Sequence, residues 1–454
     1  MRFNSFNEII EYYSDKSPDS VALYYGIGDE KKQLSFSQLL SLINGKCKEF
    51  EESPKTSVGI LCSNTKDCVI TIFAAVKAGM QVVMLDESLN DSVLLEQINK
   101  ADVDILWSED AERINDLSPA LTNGVEKNAK RILFFTSGTT SKSKAVVLTE
   151  QNLCSSAYNG SQKLPLTNED ILLSILPLSH VFGFVCGLLW GLSSGSAIAL
   201  SRGPRAITTD FLFFQPTAVS LVPLLLGFFL KHKLFNRDLE LILIGAGDCP
   251  DSLLDAARMM GKRVCFGYGL TETSSGVAIS VSGDPHAMEI CPDDEITIAE
   301  DGEVLISAPT CIMQGYYKDE KSTDEVLKNG IFYSGDIGYL DGEGKLHITG
   351  RKKEIIILPS GTKIFLPEYE GELIKELGNP ELAVIMLSNR PALVIKEKEE
   401  NREKVLATVN EVMKKHPRTH RISDVIFTDK PLPRTATGKI KRWEIRQTEE
   451  KKNG

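Results

Sequence analysis

The chain has 454 residues, enough for more than one domain, and its 42% hydrophobic and 25% charged residues can bury a large core. A net charge of −11 argues against a general nucleic-acid binder, which needs a basic face to neutralise phosphates. Nine cysteines form neither a CxxC pair nor a Cys/His metal spacing, so reduced, mostly buried thiols and a cytoplasmic setting are expected.

In chain order, residues 1–50 show no apolar signal core and predict an amphipathic helix, then a second one begun by Ser35 or Ser37. From residue 57, short apolar runs (VGILC, VVML, DILW, RILFF, ELILIG) read as buried strands. TKDCVITIFAAVKAGM and PDSLLDAARMMGK read as helices between them. This alternation predicts α/β layers with largely parallel sheets. Residues 171–200 and 211–230 hold no Asp, Glu, Lys or Arg. Each is long enough to cross a membrane, but Pro177, Pro216 and Pro223 interrupt them and clear basic flanks are lacking. Core strands and helices are expected there, with no transmembrane span. Between about 295 and 350 the pattern turns to hairpin strands (EITIAEDGEVLIS, IFYSGDIGYLD, GKLHITG) with Asp-Gly and Glu-Gly turns. The charged RKKE after Gly350 marks a junction. Beyond it lie two strands, LAVIML and ALVIKE, and a helix, NREKVLATVNEVMKKH, that ends before Pro417.

Residues 131–149, RILFFTSGTTSKSKAVVLT, interrupt two apolar runs with a loop of hydroxyls, lysines and a glycine. Hydroxyls, backbone N–H groups and lysines suit phosphate binding. No Gly-Lys-Ser/Thr closes the loop, so it is not a Walker A motif; taken alone, a solvated Ser/Thr-rich loop is an equal reading. The run from Thr136 to Ala145 resembles the TSGTTGxPKG signature of the adenylate-forming superfamily. That superfamily includes acyl- and aryl-CoA synthetases, the adenylation domains of peptide synthetases and firefly luciferase. The resemblance implies that Thr136, Ser137, Gly138, Thr139, Thr140 and Lys144 hold the β- and γ-phosphates of ATP. Ser141 and Ala145 stand where the family has glycine and Ser143 where it has proline, so reduced backbone freedom is expected at 141 and 145.

Companion motifs follow in the family's order. LPLSHVFGF (176–184) places His180 where acyl-CoA synthetases have a residue beside the acyl carboxylate that changes rotamer between half-reactions. No Asp or Glu lies between 171 and 200 to hold a substrate amine, which disfavours an amino-acid substrate. LIGAGDCP (243–250) offers Gly245, Ala246 and Gly247 as a strand-end turn that packs against adenine, a loose match. GYGLTETS (267–274) is a specific one: Tyr268, beside Gly269, stacks on adenine, Thr271 faces the α-phosphate, and Glu272 is the Mg²⁺ ligand, a hard oxygen donor. In YSGDIGYLDGEGKLHITGRKKEIII, Asp336 matches the carboxylate that accepts both ribose hydroxyls, Arg351 a second ribose contact and Lys353 the hinge. Gly361 matches a glycine of the pantetheine channel. Lys439, in PLPRTATGKIKR, matches the catalytic lysine. Each of these residues has an ordinary structural reading on its own; the order and spacing of the set carry the resemblance.

The family relationship implies an α/β fold with a large N-terminal domain, 1–350, of layered sheets and helices plus a β-barrel-like subdomain. A small, mobile α+β domain, 351–454, carries the lysine. The implied chemistry is attack of a carboxylate on the α-phosphorus of ATP to give an acyl-adenylate and pyrophosphate, then domain rotation at Lys353 and thiol attack. Positioning and electrostatics supply the catalysis. Three functions follow. The first is an acyl-CoA synthetase using ATP, Mg²⁺ and CoA, with a fatty or other apolar acid favoured by GRKKEIIILPSG and the apolar region 171–230. The second is an adenylating enzyme that loads the phosphopantetheine of an acyl carrier protein, with Lys396, Arg402, Lys414, Lys415 and Arg418 as a candidate basic patch. The third is a non-catalytic nucleotide-binding or membrane-associated homologue, supported only by the altered positions 141, 143 and 145. Peripheral membrane contact is compatible with the first two.

Overall fold

The computed structural model describes residues 1–117, 125–126, 128–136, 143–247, 249–281, 284, 286–352, 355–357, 363–387, 390–416, 421–434 and 440–453. Among these, the strands form five sheets. The largest has nine strands. Its parallel centre runs through Arg263–Leu270, Leu241–Ile244, Ala218–Leu221, Ile171–Ser174, Ala197–Leu200 and Val21–Ile27. Antiparallel strands flank it: Ser275–Ile279 and Glu289–Ile290 on one side, Glu30–Ser35 on the other. A second sheet of six strands has a parallel core of Ile105–Trp107, Ser57–Cys62, Gln81–Asp86 and Ile132–Phe135. Ala145–Leu148 and Gly315–Tyr316 close its edge antiparallel.

Four of the apolar runs read from sequence are central strands, buried on both faces as parallel strands between helical layers must be; the fifth, DILW, is corrected: Ile105–Trp107 is an edge strand and only half-buried. Ser35 is the residue that starts the second helix, Phe36–Glu52: its side chain accepts from the Gln38 amide and Gln38 returns a bond to the Ser35 amide. Thr65 caps Lys66–Lys77 by the same kind of bond to Cys68.

The charge-free stretch 171–200 is a strand, Val181–Phe184, a π-helical turn over Val185–Leu189, a short helix Trp190–Ser194 and another strand. Most of its apolar side chains are buried. The stretch 211–230 builds a separate core cluster around Phe211, Phe214 and Phe229. Among the described residues no helix is long and apolar enough to cross a membrane.

The expected hairpins form an antiparallel five-stranded sheet, with Glu295–Ile298 on Glu303–Ser307 and Ile331–Leu340 on Leu346–Arg351. This last strand runs through Gly350 to Arg351. Further along the chain, Leu382–Leu387, Arg390–Lys396 and Asp424–Thr428 form a three-stranded sheet, with its own core against Leu366–Leu377 and Arg402–Lys414. The fold is therefore the mixed α/β one, a large sheet-rich N-terminal part followed by a C-terminal one.

Candidate active site

The parallel strands of the two larger sheets end in the same region, where open α/β sheets place their ligands. Asn64, just past the strand Ser57–Cys62, donates to the carbonyls of Ser174 (2.9 Å) and Leu176 (3.0 Å) and so stitches one sheet's strand ends to the other's.

From the six-stranded sheet comes the candidate phosphate loop. Its two ends are tied: the Thr136 amide donates to the Lys144 carbonyl at 2.9 Å, and the Lys144 amide to Thr136 Oγ1 at 3.2 Å. Ser143 is anchored from the side by Lys100 Nζ on its carbonyl at 2.8 Å. Ala145 belongs to the following strand, paired with Phe135, and its methyl group is fully buried. The expected loss of backbone freedom at 145 is therefore corrected: this position is extended strand, where alanine fits the core. Ser137, Gly138, Thr139, Thr140 and Ser141 lie outside the described residues, as do Lys353, Gly361, Arg418 and Lys439.

From the nine-stranded sheet come the adenine, phosphate and metal candidates. The GYGL segment is not a loop; it is the end of the strand Arg263–Leu270, and Thr271–Thr273 form a single 3₁₀ turn after it. A side chain at Gly269 would lie 1.5 Å from the Ser275 carbonyl oxygen, so only glycine permits this strand crossing. The turn is held by Thr273 Oγ1, which accepts from the Leu270 amide at 2.9 Å. At the next strand end, the Phe182 ring packs where a Cβ on Gly245 would stand, 2.8 Å away. The left-handed backbone falls on Ala246 (φ 62°), not on either neighbouring glycine. Thr271 is half-buried beside Glu272.

Glu272 is buried, and its Oε1 accepts the Tyr316 hydroxyl at 2.7 Å. Lys144 Nζ lies 4.4 Å from the centre of the same tyrosine ring. Tyr316 thus joins the phosphate-loop lysine to the metal candidate. Burial, then the charge of Glu272, pushes its phenol well above the ordinary value, so it stays a donor. A carboxylate has about four acceptor positions, so Glu272 keeps capacity for a cation beside the Tyr316 bond. Among the described residues no cluster of three or more His, Cys, Asp or Glu could hold a metal ion. One carboxylate, with the remaining positions left to phosphate oxygens and water, suits Mg²⁺.

Asp336 sits at the other wall, 2% exposed. Its Oδ2 accepts the Tyr268 hydroxyl at 2.8 Å and its Oδ1 the Arg351 Nε at 2.9 Å, across the hairpin pair Asp336–Arg351. A carboxylate has about four acceptor positions, so both oxygens retain capacity for a diol. Burial, then Asp336, pushes the Tyr268 phenol well up. Glu303 shapes the approach, accepting the Gly335 amide at 2.9 Å and Lys352 at 2.8 Å.

His180 Nε2 faces Asp86 Oδ2 at 3.5 Å. Asp86 comes from the other sheet, outside the charge-free stretch 171–200. Tyr316, Glu303 and Asp86 were all missed. Each is remote in sequence from the residue it serves, and the packing of strand ends and turns brings them together.

Behind this site is a narrow cleft with room for little more than a water molecule. Leu243, two residues before Gly245, and Gly276, the strand partner of Gly269, line it together with Val185, Cys186 and Trp190. Among the described residues no lining residue carries a charge.

The AMP-binding enzyme family matches residues 10–133 and 118–317. The 2-succinylbenzoate–CoA ligase of Bacillus cytotoxicus is 26% identical, over 96% of this chain and 97% of its own length. That of Bacillus cereus (strain ATCC 10987 / NRS 248) is 28% identical, over 95% and 96%. Among solved structures, the o-succinylbenzoate CoA synthetase of Bacillus subtilis with its acyl-adenylate intermediate superposes with a TM-score of 0.81 at 22% identity, over 96% and 97% of the two chains. The anthranilate CoA ligase AuaEII with anthranoyl-AMP gives 0.83 at 18% identity, over 100% and 98%.

Proposed function

The chain belongs to the AMP-binding enzyme family, in the adenylate-forming superfamily, and from that premise we propose that it is an AMP-forming acid–CoA ligase. The observation that carries the reading is the site itself. Asp336, clamped by Tyr268 and Arg351, stands on one side, and Glu272, held by Tyr316 next to Lys144, on the other. In this reading Tyr268 and Gly245–Gly247 receive adenine, Asp336 and Arg351 the ribose, and Thr136–Lys144 the β- and γ-phosphates. Glu272 would hold Mg²⁺, which when bound neutralises phosphate charge. Lys439 reaches the attacking carboxylate and the α-phosphate from the C-terminal domain, 351–454, which turns about Lys353. Gly361 then borders the channel for the CoA thiol.

The acid is proposed from two sources. The relatives are named for 2-succinylbenzoate, an aromatic acid, and this displaces the fatty acid favoured from sequence. Physically, the apolar region that favoured a fatty chain is mostly core: of residues 171–230 only Val185, Cys186 and Trp190 line the cleft. A second reading, an aryl acid with an uncharged tail, is favoured by the absence of charge on that lining, since a second buried carboxylate needs a partner. The carrier-protein alternative has weaker support. In its basic patch Arg402 pairs with Glu399 and Lys414 with Glu411. The deciding experiment is thioester formation from ATP and either acid, with CoA and carrier protein compared as acceptors. No thioester with any acid and CoA would refute the ligase reading.

A further inference from the structure

We propose that Asp86 is a positioning residue for His180, fixing the direction in which the imidazole points during adenylation. The inference rests on the ligase reading above, in which His180 stands beside the acyl carboxylate.

The backbone around His180 is fixed without its ring. Its amide donates to the Pro177 carbonyl at 3.1 Å, and its carbonyl accepts from the Phe184 amide at 2.9 Å. Gly183 packs so closely on Pro177 that a Cβ there would lie 2.3 Å from the Pro177 oxygen. What remains free is the rotation of the side chain, because His180 heads the helix Val181–Phe184 without a side-chain capping bond.

Asp86 is built to supply the missing constraint. It ends the strand Gln81–Asp86, paired in register with Cys62 and 8% exposed. Ser88 takes one carboxylate oxygen completely, with its amide at 2.9 Å and its hydroxyl at 2.7 Å on Oδ1. This leaves Oδ2 aimed at His180 Nε2, 3.5 Å away. Burial pushes the Asp86 carboxyl up, but His180 and the hydrogen bonds from Ser88 outweigh it and leave the group below its ordinary value. The carboxylate is therefore anionic near neutral pH. At 3.5 Å the contact is longer than an ordinary N–H···O hydrogen bond, so the carboxylate holds the ring by electrostatic attraction, readily broken by ring rotation. The two residues belong to different sheets, and the Asn64 bonds to Ser174 and Leu176 hold those sheets in register beside the pair.

The test is a double-mutant cycle with Asp86→Asn, His180→Ala and the double variant, each checked for an unchanged melting temperature. Asp86→Asn should lower kcat/KM for the acid about tenfold in ATP–pyrophosphate exchange and leave KM for ATP unchanged. In the His180→Ala background the same change should have no further effect, as expected when one residue acts only through the other. Full additivity overturns the proposal. A crystal structure of Asp86→Ala gives a readout that needs no turnover. The His180 ring should leave its position; a ring that stays overturns the proposal, whereas exchange with no acid at all would refute the ligase reading instead.

Discussion

Tyr316 donates its hydroxyl to Glu272 at 2.7 Å, from a two-residue strand at the edge of one sheet to a turn at the end of another. The bond orients the carboxylate that the proposed function gives to a cation. Tyr316→Phe deletes it and leaves a buried carboxylate short of one donor, a loss of about 1.5–3 kcal/mol for a bond to a charged group. The Mg²⁺ concentration for half-maximal activity should rise roughly tenfold, with KM for the acid unchanged. A magnesium titration checks this; an unaltered requirement would mean that Tyr316 only packs.

In the proposed function the clamp on Asp336 serves the nucleotide alone. Asp336→Asn exchanges an acceptor pair for one acceptor and one donor, opposite Arg351 and the Tyr268 hydroxyl. KM for ATP should rise about 10- to 100-fold, the equivalent of one or two charged hydrogen bonds. The acid's KM should not move. Steady-state kinetics with each substrate varied in turn separates the two.

Gly269 and Gly342 should respond oppositely to alanine. A Cβ at 269 would overlap the Ser275 carbonyl oxygen at 1.5 Å, whereas nothing lies within 4 Å at 342. Gly269→Ala should cost on the order of 4 kcal/mol or prevent folding, and Gly342→Ala less than about 0.5 kcal/mol. Urea unfolding of both variants is the measurement.

Asp294 gives a pH-dependent stability. Burial, reinforced by the charge of Asp293, pushes its carboxyl up to about 7. A folded-state value above the unfolded one favours the protonated form. Its effect on stability is absent below about pH 4, grows unfavourable as pH rises from about 4 to about 7, and is constant above that. Asp294→Asn should therefore stabilise the protein at pH 8, by on the order of 3 kcal/mol and with a raised melting temperature, and change it little at pH 4. Thermal melts at the two pH values read the difference directly; equal gains at both would assign the effect to packing.

The layered α/β fold was legible in the sequence because its central strands are continuous apolar runs such as VGILC and ELILIG, and its helices carry their own caps at Ser35 and Thr65. The loop departures were harder to weigh. Ala145 looked like a lost glycine until strand pairing with Phe135 put its methyl group in the core. Ala246 holds the left-handed turn that two adjacent glycines seemed to offer. The partners that orient the site were not legible at all. Asp86 and His180 are 94 positions apart, and Tyr316 and Glu272 are 44, and nothing local in either stretch distinguishes them from ordinary strand-end residues.

The most direct test is acid-dependent ATP–pyrophosphate exchange, run with 2-succinylbenzoate, uncharged aryl acids and fatty acids, and with Lys439→Ala as control. The account predicts exchange with an aryl acid, abolished in Lys439→Ala, while that variant still forms thioester from supplied acyl-adenylate and CoA. Exchange with no acid, or exchange that survives the loss of Lys439, would contradict it.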